Sequence, residues 1–289
     1  MEKDQWTRRQ LLTAAAAAGL AASCATRPIA AVAASSYQST VLAKKPVGYW
    51  RLGETTGPAA SDNSGNGHNG IYQGIPTFQE RGAIVGDTNA AIKLDGKRSY
   101  VEIANHADFS QPTSGNGMTV EVWVRPDVLE FEGETDDPYI YWLGKGEASR
   151  HEWALRFYSR NSKRPNRISA YIFNPEGGLG AGAYFEDTLK VGEWIHVVAC
   201  FDPGDADTND KRGVHIYKNG RQRLGPPSPG TLYSNPQWHI KPVHGASPLR
   251  LGTRDLQSFL TGGLDEVAIY PRLLTADEIL ENYSVGQGK

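Results

Sequence analysis

The residues of this chain best equipped for chemistry are aromatic. Trp142, Trp153, Tyr171 and Tyr184, with Arg156 among them, combine flat apolar rings with hydrogen-bonding groups. That combination suits a sugar, whose pyranose ring has an apolar face to stack on and hydroxyls to hold. The same rings would equally serve ordinary sheet packing. Hydrolysis of a glycosidic bond needs two facing carboxylates, about 5–5.5 Å apart for retention or about 6.5–9.5 Å for inversion. The nearest strand acids, Glu121, Glu152 and Glu186, lie on separate segments, with no second acid two residues away. A lyase would need a His or Tyr base beside an arginine and an amide. His196, Tyr171, Arg156 and Gln237 are the candidates, and their spacing follows no lyase motif. His196 sits inside an apolar run, where a packed or hydrogen-bonded histidine is the ordinary reading. No G-x-S-x-G, H-E-x-x-H or phosphate-binding glycine loop occurs. No catalytic residue is therefore assigned, and binding is the expected activity.

Two acidic stretches invite a cation. Asp205-Ala206-Asp207-Thr208-Asn209-Asp210 begins like a calcium loop, but Asp210 stands where that loop needs Gly and Ile216 where it needs Glu. A solvated hairpin loop is the expectation. The run Glu130 to Asp137 reads as an exposed acidic loop. Of the two cysteines, Cys200 lies in an apolar run and reads as a small buried hydrophobe, and Cys24 lies in the leader described next. No intramolecular disulfide is expected in the mature chain.

Residues 1–33 look like an export signal. A basic start with Lys3, Arg8 and Arg9 precedes an apolar run from Leu11 to Ala22, and Ala31-Val32-Ala33 supplies an A-x-A cleavage site before Ala34. Thr7-Arg8-Arg9-Gln10-Leu11-Leu12 resembles a twin-arginine motif. The apolar run falls well short of the roughly 20 residues a spanning helix needs, so no membrane span is expected. Leu20-Ala21-Ala22-Ser23-Cys24 resembles a lipoprotein box, though Ala21 holds the place where Leu is usual, so a lipid anchor at Cys24 is the alternative end of processing. Either route leads to the periplasm, the cell surface or the exterior.

The 289 residues, 39% hydrophobic and 10% aromatic with 32 Gly and 17 Pro, suit one domain of many short strands joined by tight turns. With 30 basic against 32 acidic residues the chain has no field for a phosphate backbone, so nucleic acid is excluded as the expected partner. Period-two alternation marks the strands. In Thr119 to Arg125 three valines share one face while Glu121, Trp123 and Arg125 share the other, a candidate ligand surface. Trp194 to Phe201 is apolar on both faces, as in a central strand. Val214 to Lys218 runs into Asn219-Gly220, a type I′ turn signal, and a strand from Arg221 should return. Leu264 to Tyr270 reads as a strand. Thr275-Ala276-Asp277-Glu278 spells a capping box for a short helix through about Asn282, with Leu274 and Ile279 as its staple. Sheets of this kind must bury a face, which gives a two-sheet antiparallel sandwich.

The order of several blocks carries a resemblance. Pro46 to Glu54 opens it, Asp62 to Gly67 follows as a turn, and Leu94-Asp95-Gly96 comes with Tyr100 to Ile103. Thr119 to Pro126, Trp194 to Phe201, Ile216 to Gly220, Gly262 to Tyr270 and the start of the Leu273 to Ile279 helix complete it. This layout, over about residues 37–284, resembles the laminin-G-like jelly-roll family of the concanavalin A-like lectin/glucanase superfamily. The resemblance implies an all-β jelly-roll sandwich with one short C-terminal helix. Residues 34–39 would be a linker, 40–284 the domain and 285–289 a tail. It also implies that Trp142, Trp153, Arg156, Tyr171 and Tyr184 line the concave sheet or its rim. Glycosidases of this fold present E-x-D-x-E on one strand, which is absent here. Related sandwiches hold a structural calcium ion on a carboxylate at the position of Asp265, with carbonyls near Asp87 or Gly53 as further donors. The alternative is that Asp265 bonds backbone N–H groups and caps a turn. The expected function is that of an exported, non-catalytic carbohydrate- or cell-surface-binding module. A polysaccharide-active lyase or glycoside hydrolase is the first alternative, and an adhesive surface protein with a protein partner is the second.

Overall fold

A computed structural model describes residues 36–110, 117–131, 137–147, 149–173, 180–202, 213–223 and 243–289. The export signal with Cys24, the acidic hairpin at 205–210 and Gln237 lie outside these residues. In chain order the elements are α1 (Tyr37–Ala43), β1 (Gly48–Trp50), β2 (Ala59–Ala60), β3 (Gly70–Gln73), β4 (Thr77–Arg81), β5 (Ala90–Asp95), β6 (Tyr100–Ile103), β7 (Met118–Pro126), β8 (Tyr139–Glu147) and β9 (Arg150–Tyr158). There follow β10 (Ile168–Phe173), β11 (Gly180–Phe185), β12 (Ile195–Asp202), β13 (Gly213–Lys218), β14 (Arg221–Arg223), β15 (Leu249–Leu251), β16 (Thr261–Tyr270) and α2 (Ala276–Gly286). Their pairings are antiparallel and make two sheets. Sheet A runs β14-β13-β12-β7-β16-β5-β4, with β1 also on β16, and sheet B runs β11-β10-β9-β8-β15-β6-β3-β2. The expected jelly-roll sandwich is the observed fold. No helix among the described residues is long and apolar enough to cross a membrane.

The alternating residues of the two inner faces fill the space between the sheets. Val120, Val122 and Val124 of β7 and Val197, Ala199 and Phe201 of β12 meet Trp142 of β8, Trp153, Leu155 and Phe157 of β9, and Leu249 and Leu251 of β15. Each strand alternates because its outer residues meet a different environment.

For sheet A that environment is two helices, and this corrects two expectations. The outer face of β7 is no ligand surface, because α1 and α2 lie on it: Tyr37, Val41 and Ile279 form a second core with Trp123, Val198, Cys200, Ala268 and Tyr270. Residues 37–39 are likewise no linker. Ser36 caps α1 by accepting the Ser39 N–H at 3.2 Å, and the spacing of Tyr37, Thr40 and Val41 puts one side of that short helix against the sheet. The C-terminal helix has its capping box as read, and continues one turn past Asn282 to Gly286. Asn219 and Gly220, both at positive φ, turn β13 into β14.

Candidate functional site

Among the described residues no helix lies on the outer face of sheet B. On β9 the residues facing away from the core are Ala154, Arg156 and Tyr158, and register brings their neighbours to them. Arg156 lies opposite Tyr141 of β8 and Ser169 of β10, and Ser169 in turn lies opposite Tyr184 of β11. Ala154 lies opposite Tyr171, and Tyr171 opposite Gly182. A Cβ at Gly182 would sit 2.9 Å from the Tyr171 ring, so the absence of a side chain there makes room for it.

Arg156 is the centre of this face. Its guanidinium carbon stands 4.1 Å from the ring centre of Tyr171, 4.9 Å from Tyr139, 5.0 Å from Tyr141 and 5.3 Å from Phe173. The aromatic faces stabilise the cation electrostatically and hold its plane. Its two terminal nitrogens donate to the hydroxyls of Tyr158 at 3.4 Å and Tyr141 at 3.3 Å, long contacts both, and its Nε has no partner. Among the described residues no carboxylate pairs with it. Arg254, almost wholly buried, stands 3.6 Å from the ring centre of Tyr141 and is paired with Asp255. Beside them His151 packs on Phe173, and burial together with the charge of Arg254 holds its imidazole down to about 4, so it is neutral at physiological pH. At the far end of the row Arg167 lies 3.8 Å from the Tyr184 ring and pairs with Glu186.

Of the five residues expected to bind sugar, the structure gathers Arg156, Tyr171 and Tyr184 on this one face. Trp142 and Trp153 go elsewhere: both are wholly buried between the sheets, and the Trp153 indole donates to the Phe109 carbonyl at 2.7 Å. They offer no face to a ligand, because both rings are spent on the core. Tyr139 and Tyr141, both partly exposed, take their place, and buried Arg254 packs on Tyr141. The signal for the first two was the alternation Tyr139-Ile140-Tyr141-Trp142, in which the tyrosines share the face opposite Trp142.

The candidate catalytic acids are all engaged. Glu121 and His196 are wholly buried beneath α1 and α2, with His196 Nε2 2.7 Å from Glu121 Oε1. Glu152 pairs with buried Lys145 and accepts the Ser110 hydroxyl at 2.6 Å, while Glu186 is held by Arg167. Cys200 is buried, and burial pushes its thiol up to about 12. A recess of about 370 Å³ at the margin of sheet A is lined by Arg81, Asp87, Arg125 and Trp194, among others. Its Arg125 is already committed to Asp127 and Glu80.

Asp265 sits at a β-bulge where β16 slips against β7, and Glu266, at φ 53°, turns onto the same side. Asp265 Oδ2 accepts the Ala83 N–H at 2.7 Å, and its Oδ1 has no partner. Glu266 is taken by Tyr49 and by Arg51, which also binds Asp87 at 2.6 Å. One free oxygen beside a resident guanidinium does not fit an ion that takes six to eight oxygens. Burial, with the charge of Glu266, instead raises Asp265 well above the usual carboxylate range. A carboxyl whose folded pKa is raised costs stability as pH rises from its unfolded value. Asp265→Asn is therefore expected to unfold within about 1 kcal/mol of the parent or above it at pH 7, with the gain vanishing in acid. A clear fall in Tm, together with a calcium-dependent Tm in the parent, would instead assign an ion to Asp265.

The family model described as the concanavalin A-like lectin/glucanases superfamily matches residues 95–280. Among curated proteins none matches the sequence. Solved structures with similar folds include the binding domain of botulinum neurotoxin DC in complex with SialylT, at 12% identity and a TM-score of 0.57 over 85% of this chain and 52% of that one. The same binding domain in complex with rat synaptotagmin II gives 12% and 0.57 over 86% and 52%. A structure titled for the dependence of botulinum neurotoxin type C cell entry on two ganglioside molecules gives 12% and 0.57 over 86% and 53%. The chain thus spans about half the length of these proteins, and the likeness is one of fold.

Proposed function

Because the chain belongs to the concanavalin A-like lectin/glucanase superfamily, we propose that it is an exported, non-catalytic module that binds glycan through the outer face of sheet B. The observation that carries this reading is Arg156. It is a half-buried cation ringed by Tyr139, Tyr141, Tyr171 and Phe173, with an unmatched Nε and no carboxylate partner among the described residues. Buried polar groups left without partners are costly, so a guanidinium placed this way is completed by a ligand. The planar fork suits a carboxylate, and the tyrosine rings suit the apolar face of a pyranose. The preferred ligand is accordingly an acidic glycan bearing uronic or sialic acid. Related folds support the class: the names of two similar structures include SialylT and gangliosides.

The deciding experiment is a glycan array containing neutral and acidic glycans, paired with a polysaccharide-depolymerisation assay, on residues 34–289, run with calcium and with chelator. Saturable binding biased toward acidic glycans, with no new reducing or unsaturated ends, is the expected result. Release of products would overturn the non-catalytic reading, and loss of binding in chelator would bring back an ion.

A further inference from the structure

Away from sheet B's aromatic face, two loops meet at one end of that sheet. One precedes β3 and carries His68, and the other follows β6 and carries His106 and Asp108. The pairing of β3 with β6 brings them together. His68 is fixed through its backbone: its N–H donates to Asp62 Oδ2 at 2.8 Å, and its carbonyl accepts the indole N–H of buried Trp50 at 2.8 Å. Its ring stands edge-on to buried Phe109, centroids 4.9 Å apart. His106 caps the single 3₁₀ turn Ala107–Phe109, and its ring centre lies 4.5 Å from that of His68.

Three ligand atoms, one from each residue, lie within 4.8 Å of one another. Asp108 Oδ2 is 3.3 Å from His106 Nδ1 and 3.8 Å from His68 Nε2, the second too long for a hydrogen bond. Tetrahedral zinc, with bonds of about 2.0–2.1 Å, sets its ligand atoms about 3.4 Å apart. The observed spacings bracket that edge. The Asp108 N–H reaches His106 Nδ1 only at 3.3 Å, a contact weak enough for an ion to displace. Among the described residues no Lys or Arg pairs with Asp108, and its carboxylate lies near both imidazoles. His106 and Asp108 are nearly half exposed, which leaves a side open to water.

We propose that His68, His106 and Asp108 form a surface site for a divalent late first-row transition ion, zinc foremost. Two imidazole nitrogens and one carboxylate oxygen are the donor set such ions prefer, and calcium and magnesium do not. At least one coordination position stays open to solvent or to an oxygen of a bound molecule. The ion ties the two loops across the β3–β6 pair and so stabilises that end of the sandwich.

The test uses chelator-treated, dialysed protein titrated with zinc chloride by calorimetry and followed by thermal unfolding. One equivalent should bind saturably at micromolar zinc and raise Tm. His106→Ala and Asp108→Asn, both at exposed positions, should each weaken binding at least about tenfold while leaving the zinc-free Tm unchanged. His215→Ala, on β13 of the other sheet, should bind as the parent does. The proposal falls if no saturable binding occurs, or if zinc binds both the His106 and Asp108 variants as tightly as the parent.

Discussion

Glu121→Ala is expected to lower folding stability by about 3–5 kcal/mol, a fall of roughly 10 °C in Tm for a chain of this size. Glu121 is wholly buried and accepts from four side chains: the Tyr37 hydroxyl of α1 at 3.0 Å, the Tyr270 hydroxyl of β16 at 2.7 Å, the Asn282 amide of α2 at 2.8 Å, and His196 of β12 at 2.7 Å. Trp123 extends the set by donating to the Tyr37 hydroxyl at 3.0 Å. Removing the carboxylate takes the acceptor from the four groups that donate to it directly, and each then costs its desolvation. Glu121→Gln keeps the shape and one acceptor, so its loss should be smaller. Acid unfolding reports the same hub. Burial alone would push the Glu121 carboxyl up, but the hydrogen bonds from His196, Tyr270 and Asn282 and the charge of His196 outweigh it and hold the carboxyl below its ordinary value. Its contribution is therefore complete above the unfolded glutamate pKa and is lost as pH falls through the folded one. Urea denaturation at several pH values should show the variant losing less stability than the parent on acidification. A loss under about 1 kcal/mol at neutral pH would show that water or repacking satisfies those donors.

Arg156→Ala should weaken binding of an acidic glycan about 100-fold, equivalent to about 2.7 kcal/mol, with little change in fold, because the residue is half-buried on the outer face of sheet B. Arg156→Lys separates charge from shape. A lysine keeps the positive charge but gives up the planar fork and its contact with the Tyr171 ring, so an intermediate loss of about tenfold is expected. Binding of neutral glycans should change less than binding of acidic ones, and added salt should narrow the difference. Equal affinities for parent and Arg156→Ala, measured by calorimetry or surface binding, would remove sheet B's face from consideration and turn attention to the recess beside Trp194.

Much of the fold could be read directly because its signals are local. The valines of β7, the two-sided β12, the Asn219-Gly220 turn and the Thr275 capping box each act within a few residues. The site was legible only in part, for reasons of parity and distance. Trp153 and Arg156 are three apart, an odd number, so on one strand they face opposite ways. Only one of them can face a ligand. The same rule separates Tyr141 from Trp142. The bulge at Glu266 breaks that rule, since its positive φ sets it beside Asp265 on one face, and no pattern of residue types announces this. Helix α1 went unseen because seven residues hold too few turns to show a period, and they follow an alanine-rich stretch. The histidine and aspartate group eluded the sequence because the chain between His68 and His106 traverses four strands before the two meet.

The position of β16 has a further consequence. It is the last strand in the sequence, yet it lies inside sheet A between β7 and β5 and is also the partner of β1. Glu121 likewise waits for Tyr270 and Asn282 to complete a cluster that began with Tyr37. Such long-range closure makes for high contact order and slow folding. While the chain is being made, the earlier strands of sheet A have an unfilled gap and an open strand edge. A nascent chain stalled before residue 261 thus exposes hydrogen-bonding edges on β7 and β5 that invite association with other strands. The sandwich is completed only when its final residues arrive, and it then closes from both ends of the domain at once.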